Sequence, residues 1–154
     1  MDLSSHALKP RTRILLVDDE QAILDILVRV LKTAGYEVDM AGNGQEALQR
    51  VARRDYDLII TNIRMPVLDG RAFYRQLCGS YPHLCQRIIF CTGDTADVAT
   101  QRFLNSTGAP VIFKPFQLTT VLEMVACKLA TNQAPVTAIP PPLTSPEAIA
   151  MPVA

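Results

Sequence analysis

A doubly wound α/β domain on a parallel sheet is expected from three features of this 154-residue chain. Five short apolar runs of β character alternate with five longer segments of helical spacing, the pattern of repeated βαβ units. The inner runs LLV, LII and IIF are almost wholly apolar, as strands covered on both faces must be. Hydrophobic residues make up 49% of the chain and charged residues 19%, which supports a buried core and excludes wholesale disorder.

The β runs are Ile14–Val17, Tyr36–Met40, Leu58–Thr61, Ile88–Cys91 and Val111–Phe113. Behind the first, Ala22, Ile23, Ile26, Leu27, Val30, Leu31 and Ala34 recur at helical spacing, and Gly35 supplies a stop. Ala47, Leu48, Val51 and Ala52 mark a second helix; Phe73, Tyr74 and Leu77 mark a third, ending near Gly79. A weaker fourth carries Val98, Ala99, Phe103 and Leu104 and ends at Gly108. Leu118, Val121, Leu122, Val125 and Leu129 mark a fifth. The domain so bounded runs from Arg11 to Thr131, behind a flexible arm at 1–10. Residues 132–154 carry six of the eleven prolines and one charge, Glu147. Proline blocks helix and sheet, so this segment reads as a disordered tail or a linker.

Fifteen Lys+Arg balance fifteen Asp+Glu, which argues against non-specific nucleic-acid binding. The segment after Thr131 lacks Lys and Arg, so no DNA-binding helix-turn-helix is expected there. No CxxC pair occurs and His6 lies far from His83, so no zinc site is expected. Cys91 and Cys127 lie in apolar segments and read as small core residues. Nothing resembles a secretory leader, and no apolar run approaches the roughly 18–20 residues of a membrane span. A cytoplasmic, reducing location without membrane contact is the expectation.

In an open parallel sheet, ligands bind beyond the carboxyl ends of the strands. Asp18, Asp19 and Glu20 follow the first run, Asn62 ends the third, Thr92 follows the fourth and Lys114 follows the fifth. Adjacent carboxylates repel unless a cation offsets them, so Asp18 and Asp19 suit a hard ion such as Mg²⁺. Lys114 offers a compact positive charge to an anionic oxygen, and Thr92 a hydroxyl to the same oxygen. Together they describe a site for a metal ion and a phosphoryl group.

VDDE after the first run, DLIITNIRMPVLDG around the third, CTGD after the fourth and FKPF after the fifth resemble the receiver domain of two-component response regulators. The resemblance covers Arg11 to Thr131. It implies a flavodoxin-like fold, a five-stranded sheet of order 2-1-3-4-5 with five helices. It implies phosphoryl transfer from a sensor histidine kinase or phosphotransfer protein, and output through contact with a downstream protein rather than enzymatic turnover. It also implies that Asp18, Asp19 and the backbone carbonyl of Arg64 hold Mg²⁺, that Thr92 is the switch hydroxyl and that Lys114 contacts phosphate. Pro66 and Gly70 match the family's loop after the third strand, and Pro115 its usual cis-peptide partner.

Two positions depart from the family. Asn62 stands where the acceptor aspartate belongs, and an amide lacks the nucleophile of an acyl-phosphate chemistry. It also removes a negative metal ligand, so Mg²⁺ should bind less tightly. Either the chain is a degenerate receiver working without phosphorylation, or Asn62 holds an ordinary receiver unphosphorylated. At the usual aromatic switch position, three before Lys114, stands Val111, which is expected to pack against the fourth helix. A phosphatase of the haloacid-dehalogenase type would need an Asp-x-Asp pair, whereas Asp18 and Asp19 are adjacent. A nucleotide-binding module would need a glycine pattern that GNG at Gly42–Gly44 does not complete.

Overall fold

A computed structural model describes residues 11–132. The arm expected at 1–10 and the proline-rich segment beyond Asn132 lie outside the described residues. The strands are β1 (Arg13–Val17), β2 (Glu37–Ala41), β3 (Leu58–Asn62), β4 (Ile88–Thr92) and β5 (Val111–Phe113). They form one parallel sheet in the order β2-β1-β3-β4-β5, as the resemblance implies.

The helices are α1 (Gln21–Thr33), α2 (Gly44–Arg53), α3 (Gly70–Ser80), α4 (Pro82–Cys85), α5 (Val98–Thr107) and α6 (Leu118–Asn132). Six helices therefore stand among the described residues, where five were expected. The addition, α4, is four residues long, too short to show a helical period. Pro82 starts it, where the missing N–H costs nothing and the fixed φ suits the first turn. α6 runs to Asn132, whose side-chain amide donates to the Asp57 carbonyl at 3.1 Å.

Alternation along the strands divides the core in two. Leu15, Val17, Ile59, Ile88 and Phe90 face α2, α3, α4 and α5, meeting Val51, Phe73, Leu77, Leu84 and Leu104. Ile14, Leu16, Leu58, Ile60 and Ile89 face α1 and α6, meeting Leu24, Leu27, Leu31, Val121 and Val125. α1 corrects its expected stripe. Its buried residues are Leu24, Leu27 and Leu31, while Ile26 is 48% exposed. The helix is apolar enough to offer two overlapping stripes, and contact with the sheet selects one.

Of the two cysteines expected in the core, one is there. Cys91 is buried, and burial pushes its thiol up to about 12. Cys127 is exposed rather than part of the core, because it lies on α6 away from Val121, Val125 and Leu129. Cys78 and Cys85, which no spacing rule singled out, form a disulfide with Cα atoms 4.9 Å apart. The turn between α3 and α4 brings them together. No described helix is long and apolar enough to cross a membrane.

The loop from β3 to α3 carries one residue in an unfavourable conformation. Val67 has φ of 71°, a region hostile to β-branched side chains at a cost of about 1–3 kcal/mol. Its side chain is 79% exposed, so little packing offsets that cost. Val67→Asn, which tolerates this region, should stabilise the domain by about 1 kcal/mol. Urea denaturation would read this as a higher midpoint at unchanged slope; an unchanged midpoint would mean that Val67 is unstrained.

Candidate functional site

Sheet register brings the polar strand ends to one edge. Val17 pairs with Thr61, Asn62 with Cys91 and Thr92 with Phe113. Asp18 and Asp19 therefore emerge beside Asn62, with Thr92 one strand further along. The backbone N–H of Lys114 donates to the Thr92 carbonyl at 2.8 Å, which continues the β4–β5 ladder and aims Lys114 at the same edge. The Lys114–Pro115 peptide is cis, as the family resemblance implies.

Within this cluster the polar side chains are bonded to one another. Lys114 Nζ donates to Asp18 Oδ2 at 2.9 Å and to Glu20 Oε1 at 3.2 Å. Asp18 Oδ1 accepts from the Glu20 backbone N–H at 2.9 Å. Asn62 Oδ1 accepts from the Ile63 N–H at 3.0 Å, which orients the amide. Asn62 Nδ2 then donates to the Arg64 carbonyl at 2.9 Å and to Asp19 Oδ1 at 3.3 Å. Thr92 Oγ1 accepts from the Asp94 N–H at 3.1 Å and so shapes its own loop. Burial pushes the Asp18 carboxyl up, more strongly than the Glu20 N–H and Lys114 hold it down. Burial works against the Lys114 ammonium, yet Asp18 and Glu20 keep it raised and charged.

A second layer closes the mouth of the site. The Arg64 guanidinium donates to the Asp94 carboxylate and lies 3.7 Å from Asp97. Arg71 reaches Asp97 at 3.4 Å and Thr100 Oγ1 at 2.9 Å. Asp97 caps α5 by accepting from the Thr100 N–H at 3.0 Å and its hydroxyl at 2.6 Å, contacts that hold its carboxyl below the usual range. A cleft of about 400 Å³ remains, lined by Glu20, Asn62, Arg64, Thr92, Asp94 and Lys114. Glu20 and Asp94 were visible in VDDE and CTGD, but without assigned roles. The side-chain pairings of Arg64 and Arg71 span about 30 residues, and no local pattern signals them.

The model for the response regulator receiver domain matches residues 14–126. The chain belongs to that family. The response regulator receiver protein CpdR of Brucella abortus is 35% identical over 106 residues, which is 69% of this chain and 87% of that protein. The chain covers only 24% of FleR of Pseudomonas aeruginosa, at 29% identity. Among solved structures, a CheY-like receiver from Methanospirillum hungatei superposes with a TM-score of 0.74 at 30% identity, covering 80% of this chain and 98% of that one. TrrA of Thermotoga maritima, solved in complex with Mg²⁺ and BeF, gives 0.65 at 33% identity, covering 76% and 98%.

Receiver domains generally bind Mg²⁺ beside the acceptor, and this receiver's donors can be tested against that ion. The oxygens are of the right chemistry, two carboxylates and a carbonyl. Their wiring does not fit. Asp18 already accepts from the Lys114 ammonium, and Asp19 and the Arg64 carbonyl both accept from the Asn62 amide. Among the described residues, no three His, Cys, Asp or Glu side chains converge as a metal cage.

Gly70 sets how closely the β3–α3 loop packs under Asn62. Its N–H donates to the Ile63 carbonyl at 2.7 Å. A Cβ there would lie 2.8 Å from Ile63 Cα and closer still to the Asn62 carbonyl oxygen. Gly70→Ala should therefore cost about 1–3 kcal/mol, because backbone must shift to admit the methyl. A thermal melt of that variant indistinguishable from the parent would show that the loop yields freely.

Proposed function

We propose that this receiver signals through protein contacts without taking a phosphoryl group on its own acceptor position. The observation that carries this reading is Asn62 at the end of β3. A carboxamide cannot attack phosphorus as a carboxylate does. Thr92 and Lys114 stand where the resemblance puts the switch hydroxyl and the phosphate contact, and Asp18, Asp19 and the Arg64 carbonyl are the oxygens an ion would meet, but no nucleophile remains for them to assist. With one negative ligand fewer, Mg²⁺ binding is weaker than in a receiver carrying aspartate at this position.

The partners implied are a sensor histidine kinase or phosphotransfer protein and a downstream protein. Similar receiver segments occur in the sensor kinase CckA of Brucella abortus and a hybrid histidine kinase of Dictyostelium discoideum, which supports a place beside such kinases. We assign output to the face of α5, β5 and α6. Val98 and Phe113 are 60% and 52% exposed there, while Val111 is partly buried against the core cluster that includes Leu104. An aromatic side chain swinging at position 111 is therefore not part of this proposal. No direct nucleic-acid contact and a cytoplasmic location complete the reading; the Cys78–Cys85 disulfide is the one feature among the described residues that counts against the reducing compartment expected from the sequence. In a second reading, Asn62 arrests an otherwise ordinary receiver; the surviving Asp18, Asp19, Thr92 and Lys114 favour it.

Incubation with acetyl phosphate and excess Mg²⁺ should add no phosphoryl mass to this chain. Asn62→Asp should gain one hydroxylamine-labile phosphoryl group, read by intact-protein mass spectrometry. Labelling of the native chain at Asp18 or Asp19 would overturn the assignment of the acceptor. A folded Asn62→Asp that stays unlabelled would favour the degenerate receiver over the arrested one.

A further inference from the structure

We infer that the Asn62 amide does the bonding work of a divalent cation in this receiver, so that the acidic site is complete without metal. The inference rests on the reading of position 62 given above and takes it a step further: Asn62 blocks the ion as well as lacking the nucleophile.

Three contacts carry it. Asn62 Nδ2 has two protons to donate, and it directs them to the Arg64 carbonyl and Asp19 Oδ1. These are two of the three oxygens expected to hold Mg²⁺. The third, on Asp18, takes the Lys114 ammonium at 2.9 Å. Each oxygen thus already accepts a positive or partly positive hydrogen.

Rotation of the amide does not easily open the site. Turning Oδ1 toward Asp19 and the Arg64 carbonyl would set three oxygens together. It would also point Nδ2 at the Ile63 N–H, which is buried and now donates to Oδ1. A buried donor facing a donor is unpaired and costly. The Ile63 N–H therefore acts as a key that keeps Asn62 in its donating orientation.

Loss of a negative ligand alone would make Asn62 a poor metal ligand and no more. Removing it would then leave Mg²⁺ affinity the same or lower. If the amide occupies the ion's place, removing it should raise affinity even though no charge is added. Asn62→Ala separates the two.

The test is thermal melting of the full chain with EDTA or with about 10 mM MgCl₂ at matched ionic strength. The native chain should shift by less than about 1 °C, and Asn62→Ala and Asn62→Asp each by roughly 3 °C or more. Titration should give about ten-fold tighter Mg²⁺ binding in Asn62→Ala than in the native chain. A native chain as responsive as Asn62→Ala would overturn the inference. So would an Asn62→Ala variant as inert as the native chain beside a responsive Asn62→Asp, because charge alone would then explain the site. Should Asn62→Ala fail to fold, the native side-chain amide signals decide by nuclear magnetic resonance. They should stay in place through the Mg²⁺ titration, and their displacement would overturn the inference. Acetyl phosphate labelling is independent of these arms: it tests the proposed function, whereas a Mg²⁺ response in an unlabelled native chain would sink only the present inference.

Discussion

Three consecutive carboxylates stand where β1 leaves the sheet, and their mutual repulsion sets what must surround them. Asp18 is largely buried, so water cannot screen it fully. Lys114 answers this charge, bonded to Asp18 and Glu20. That answer depends on the whole sheet. Lys114 belongs to the segment after β5, Asp18 to that after β1, and they meet only because β3 and β4 lie between the two strands in register. The order of the strands is thus a condition of electrostatic balance at the site as well as of core burial.

The same constraint extends outward. Arg64 projects from the loop after β3 to Asp94 and Asp97 in the loop after β4, and Arg71 joins Asp97 to Thr100 at the start of α5. Each exposed ion pair contributes little alone. Asp97 is the exception in kind, since it also caps α5 by accepting from the Thr100 N–H. The carbonyl of Arg64 holds the Asn62 amide while its guanidinium holds the α5 loop. One residue therefore ties the inner acidic site to the face assigned to partners.

Much of this was legible in the chain. Alternation of apolar runs with helical spacing carried the fold class, because parallel strands are buried on both faces and announce themselves by continuous Val, Ile and Leu. The strand-end rule placed Asp18, Asp19, Asn62, Thr92 and Lys114 at one edge. What escaped was set by tertiary geometry. α1 has apolar residues on more than one side, and only the sheet decides that Leu24 rather than Ile26 turns inward. α4 is too short for periodicity. Cys78 and Cys85 meet through a turn whose direction no spacing specifies. The pairings of Arg64 and Arg71 cross between loops and leave no local trace.

Asn62 was legible as a departure, but its consequence was not. From the chain alone it is a ligand of reduced charge. In the folded site it is also a donor, and a donor meets the electrostatic need of the carboxylates from within. A carboxylate at position 62 would add a fourth negative group beside Asp18, Asp19 and Glu20, a burden that calls for a cation. The amide adds no charge and donates its two protons to Asp19 and the Arg64 carbonyl. Lys114 is shared by Asp18 and Glu20, and Asp19 is met by the amide, so each carboxylate already has a hydrogen-bond donor. On the proposed reading, an amide in place of a carboxylate therefore removes a nucleophile and a source of repulsion together. A receiver can accept that change and keep its fold, because the burden lifted and the function lost belong to the same carboxylate.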